Sequence, residues 1–131
     1  MLEFYRPDNV PTILGYVACG TGKSWNAKWD SSKKTLATLL QADNDWVRKY
    51  HVWRIDWTKD SINLYVDDIL LNTTLVSEMA NADGTNPFLQ PQYLLLNLAL
   101  GSNGGDPSQS NFPIKFEVDY VRVYQLKSNF E

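Results

Sequence analysis

The chain has 131 residues, 44% of them hydrophobic and 21% charged, with a net charge of −3 and a pI near 5.1. That size suits one domain, and that balance excludes a disordered chain. The lysines and arginines form no run or patch, which argues against nucleic acid or an anionic membrane as a partner, and no apolar stretch reaches the roughly 18 residues of a membrane span.

In chain order, Thr12 to Cys19 reads as a first strand, led in by Pro11 and ended by Gly20. The polar stretch SWNAKWDS that follows reads as a loop carrying Trp25 and Trp29. Ser31 to Tyr50 has no clear period and accommodates a short helix. His51 to Trp57, HVWRIDW, alternates strictly. His51, Trp53, Ile55 and Trp57 share one face, so a strand with a core-facing tryptophan pair is expected. Ser61 to Val66 alternates again, Asp67-Asp68 makes a tight turn, and Ile69 to Leu71 returns as the second arm of a hairpin. Asn81 to Pro87 and Ser102 to Pro107 are loops by composition. Tyr93 to Leu100, YLLLNLAL, reads as a strand buried on both faces, and Ile114 to Gln125, IKFEVDYVRVYQ, as a long strand rich in β-branched and aromatic residues. The sum is an all-β domain of two packed antiparallel sheets with little helix.

Aromatics make up 13% of the chain, with five Trp, seven Tyr and five Phe. Such rings fill cores, and they also stack on the apolar faces of sugar rings. Cys19 is the only cysteine, so no internal disulfide forms and the redox compartment stays open. Asn72-Thr73-Thr74 is a glycosylation sequon, weak as a motif of that length. The first residues, Met1 to Tyr5, carry no signal-peptide pattern.

The segments YHVWRIDWTKDSINLYVDDILLNTT, NPFLQPQYLLLNLALGSNGGDP and FPIKFEVDYVRVYQ together resemble glycoside hydrolase family 16 in order and spacing, over about Tyr50 to Gln125. The resemblance implies a concanavalin A-like β-sandwich jelly roll acting on β-linked polysaccharides, glucans or galactans, by a retaining mechanism. The family motif is Glu-x-Asp-x-x-Glu, or the same with one fewer spacer, on one inner strand. Here it is met only at its end, in Met1-Leu2-Glu3-Phe4-Tyr5, which makes Glu3 the expected catalytic acid/base. A retaining glycosidase needs two carboxyl groups about 5–5.5 Å apart, one ionised and one protonated. On this reading the nucleophile lies outside the chain, which represents the C-terminal half of one jelly-roll domain and is inactive alone. Half a sandwich leaves edges and an apolar face uncovered, so self-association is expected.

Expected substrate contacts are Trp25 and Trp29 on their polar loop, His51 on its strand face, Asn97 as a polar residue inside an apolar run, and Asn103 and Gln109 beside the glycine-rich loop. By resemblance, Asp119 matches a position that binds a structural calcium in relatives, and Cys19 stands beside the cleft where many relatives carry Trp or Tyr. No cofactor is needed for catalysis, and the family's habit implies a secreted or periplasmic protein. The rival expectation is a non-catalytic, lectin-like module that binds carbohydrate without turnover.

Overall fold

The computed structural model describes residues 1–101 and 104–126. Two three-stranded antiparallel sheets face each other. The first has the order β1 (Leu2–Tyr5), β2 (Thr12–Gly20) and β3 (Ala27–Thr35), and the second has β4 (Trp53–Trp57), β5 (Ser61–Val66) and β6 (Ile69–Leu75). One short helix, α1 (Leu36–Ala42), follows β3. The expected all-β sandwich with little helix is what the chain forms.

The core follows from side-chain alternation on the pleat. On β2, Ile13, Gly15, Val17 and Cys19 face the second sheet, and Leu14, Tyr16 and Ala18 face away from it. Val17 and Cys19 pack with Ile62, Leu64, Val76 and Met79, and Ile13 packs with Leu39, Val66 and Leu71. Leu2 touches both groups and joins them. Gly15 sits where the two sheets approach each other closely. A β-carbon there would lie 3.1 Å from Leu71 Cβ and 3.4 Å from Leu64 Cβ.

Polar groups also bridge the sheets. Thr74 Oγ1, on β6, donates to Asp30 Oδ2, on β3, at 2.6 Å, and Asn72 Nδ2 donates to Thr74 Oγ1 at 3.0 Å. Asn72 and Thr74 are buried, so each hydrogen bond satisfies a group that water cannot reach. The same burial withdraws the sequon's amide from the surface of the folded chain.

Four expectations are corrected. Trp29 lies on β3, not in a loop. β3 escaped the sequence because its core-side residues, Lys28, Asp30, Ser32 and Lys34, are all polar, as suits a strand at a sheet edge. Trp53 and Trp57 remain 42% and 41% exposed instead of buried. β4 is also an edge strand, and the first sheet lies over β5 and β6, so the tryptophans stand beyond the overlap. Cys19 faces the core, whereas its neighbour Ala18 pairs with Trp29 on the outer face.

The fourth correction is larger. Tyr93 to Leu100 and Ile114 to Gln125 form no strands, and their side chains are exposed throughout. Both runs have strand composition, but a strand exists only through a ladder of hydrogen bonds to a neighbour. Neither run pairs with the six described strands. A side-chain hydrogen bond ties the second run back, where Tyr50 Oη donates to Glu117 Oε2 at 3.4 Å.

Candidate functional site

The candidate site lies on the outer face of the first sheet. Register sets its layout, because residues paired across an antiparallel ladder point to the same face. Glu3 pairs with Leu14, which pairs with Lys33. Two residues along, Tyr16 pairs with Ser31, and two further, Ala18 pairs with Trp29. Glu3, Tyr5, Leu14, Tyr16, Trp29 and Ser31 line one open hollow of about 270 Å³. Such a hollow can take one or two sugar rings but not enclose them.

Glu3 is half-buried on β1 and is the one carboxylate in the lining. Tyr16 lies diagonally across the ladder from it. Burial first, then the negative charge of Glu3 and a hydrogen bond to it, push the Tyr16 phenol above its ordinary value. The Tyr16 ring meets Trp29 with centroids 5.3 Å apart and planes at 56°, a tilted contact that fixes both rings. Trp29 nevertheless keeps 61% of its surface exposed. The hollow therefore offers a carboxyl group, a phenol hydroxyl and an uncovered indole on one sheet face. That set can hydrogen-bond sugar hydroxyls, stack on a pyranose face, and exchange a proton with a glycosidic oxygen.

The other expected residues stand elsewhere. Trp25, at the tip of the β2–β3 hairpin, has 105% relative exposure and a left-handed backbone (φ 61°). His51 is not in the hollow. Its Nε2 donates to the Trp46 carbonyl at 2.6 Å, its Nδ1 lies 2.8 Å from Asp67 Oδ2, and its ring stacks on Trp46 at 3.7 Å. Asn97 is exposed in the unpaired apolar run, and Gln109 ends a short 3-10 turn, Pro107–Gln109, also exposed. Asn103 lies outside the described residues. Asp119 is exposed in the second unpaired run. Among the described residues no group of three or more His, Cys, Asp or Glu gathers to hold a metal ion.

Tyr5, Leu14, Tyr16 and Ser31 were not anticipated. The signal for Leu14 and Tyr16 was present in the alternation of β2. Only the pairing with β1 assigns that face to Glu3.

The family model for glycosyl hydrolases family 16 matches residues 17–122, which include Trp25 and Trp29 and begin after Glu3. The chain belongs to family 16. It is 40% identical over 83 residues to a glucan endo-1,3-beta-glucosidase A1 from Niallia circulans, an alignment covering 58% of this chain and 12% of that protein. It is 35% identical over 122 residues to a beta-1,3-glucan-binding protein from Penaeus monodon, covering 80% and 33%. It is 34% identical over 132 residues to a glucan endo-1,3-beta-glucosidase from Cryptopygus antarcticus, covering 92% and 46%. The family 16 chain thus spans less than half the length of these relatives. No solved structure matches it.

Proposed function

We propose that the chain forms one wall of the cleft of a retaining endo-β-glucanase, with Glu3 as acid/base and β-1,3-linked glucan as the substrate. The observation that carries this reading is Glu3 beside Tyr16 and Trp29 on the open face of a family 16 sheet. Glu3 donates a proton to the departing glycosidic oxygen, then takes one from the water that resolves the glycosyl-enzyme intermediate. Tyr16 braces the carboxyl group, and Trp29 stacks on a sugar ring. The chemistry needs no cofactor. The relatives named for β-1,3-glucan support the substrate, and the family resemblance supports retention.

Retention needs a second carboxylate about 5–5.5 Å from the first. The hollow's lining offers Glu3 alone. The chain is therefore expected to bind β-1,3-gluco-oligosaccharides without releasing reducing ends. Turnover by the purified chain would show that a nucleophile comes from elsewhere in it.

A second reading, a non-catalytic glucan-binding module, is favoured by the likeness to the beta-1,3-glucan-binding protein. Azide separates the two. Small external nucleophiles attack the anomeric carbon in place of the missing carboxylate, while the protein protonates the leaving oxygen. Under the hydrolase reading, azide restores cleavage of an aryl β-glucoside, and Glu3→Gln abolishes it. A binding module shows no cleavage with or without azide.

A further inference from the structure

We infer that Trp25 is a second sugar platform, separate from the hollow and built to hold a distant ring of the same glucan chain. The inference rests on the glucan reading above.

Four observations support it. First, an indole with no contact to the protein forgoes the favourable burial that places most tryptophans inside. Second, its backbone is left-handed, a conformation that bulky side chains adopt only when their surroundings impose it.

Third, the surroundings do impose it. Gly20 N, at the root of the hairpin, donates to Asn81 Oδ1 at 2.7 Å, and Ala82 N donates back to Gly20 O at 3.1 Å. Asn81 is itself held through Nδ2 to Thr85 Oγ1 at 3.1 Å. Gly22 lies so close to Ala82 that a β-carbon on it would come within 2.9 Å. Across the tip, Thr21 Oγ1 donates to Asn26 O at 2.9 Å, and Asn26 N donates to Lys23 O at 3.1 Å. The loop after the second sheet thus clamps the root of the hairpin while the indole stays free. Rigid presentation lowers the ordering cost of binding.

Fourth, the platform shares its hairpin with the hollow. Trp29 and Trp25 belong to one hairpin. Gly20 lies six residues beyond Leu14, which pairs with Glu3, a reach of about 20 Å along an antiparallel strand. That separation corresponds to several sugar rings, so one extended glucan can touch both. The platform suits a polymer and gives nothing to a short oligosaccharide seated at Glu3.

The test is calorimetric titration of the full chain with soluble β-1,3-glucan polymer and with its trisaccharide. Trp25→Ala should weaken polymer binding about tenfold, the worth of one good aromatic stack, and leave the trisaccharide unchanged. Asn81→Ala, which frees the hairpin root, should weaken the polymer in the same direction by less. If Trp25→Ala binds polymer like the wild type while Trp29→Ala does not, the second platform is wrong and the cleft reading survives. If the wild-type chain binds neither ligand, both readings fail.

Discussion

Tyr16 is the residue whose environment carries the most specific consequence. Its folded-state pKa is raised above the unfolded value, by burial and then by Glu3. The folded chain therefore holds this proton more tightly than the unfolded chain. The contribution to stability is fully present below the ordinary tyrosine value and is lost as pH rises through the higher folded value. Glu3→Gln removes the charge that supports the shift. The Tyr16 midpoint, followed by phenolate absorbance against a Tyr16→Phe blank, should then move down toward about 10. A midpoint unchanged in Glu3→Gln would mean that burial alone sets it. His51 makes the opposite kind of prediction. Both of its ring nitrogens are engaged inside the chain and its ring is stacked on Trp46. His51→Ala should cost about 1–3 kcal/mol in denaturant unfolding, through unpaired partners and lost stacking. Trisaccharide affinity should not change, and a loss of affinity without a loss of stability would place His51 at the substrate.

Among the elements, β2 matters most, because it contributes one face to the core and the other to the hollow. Ile13 is fully buried in that core, so Ile13→Ala should destabilise by about 2–5 kcal/mol in denaturant unfolding. Gly15→Ala tests sheet separation. Its β-carbon would press on Leu71 and Leu64, and overpacking of this kind costs about 1–3 kcal/mol. An unchanged denaturation midpoint would show that the sheets can part without cost. Two of the four edge strands, β3 and β4, escaped or misled sequence reading for one reason: alternation tells which residues share a face, not what covers it. β3 has polar residues on its core side and gave no signal. β4 has tryptophans on its core side and gave a strong one, yet the opposite sheet does not reach them.

At the scale of the whole molecule, uncovered apolar surface dominates. Leu94, Leu95, Leu98, Phe116, Val118 and Val123 are exposed, as are Trp53, Ile55 and Trp57. Apolar side chains left in water favour association, and strand-forming runs without partners offer edges to another chain. The sedimentation coefficient should rise with concentration, and the chain should bind a hydrophobic dye while keeping its β-sheet circular dichroism. Leu95→Lys with Val118→Lys should lower both dye binding and association. A monodisperse monomer that binds no dye would contradict this.

By itself the sequence determined the fold class, the hairpin of β5 and β6, the strand β2 and the family, because period-2 alternation, turn residues and ordered motifs are local properties. It also raised Glu3 and Trp29 as expected site residues, and both line the hollow. Only the tertiary structure decided that Glu3, Tyr16 and Trp29 share one hollow, since that depends on the register of β1, β2 and β3. It likewise decided that His51 turns inward and Cys19 faces the core. The runs at Tyr93 and Ile114 mark the limit of local reading. Their composition has every property of a strand except a neighbour, and pairing is a property of two segments, never of one.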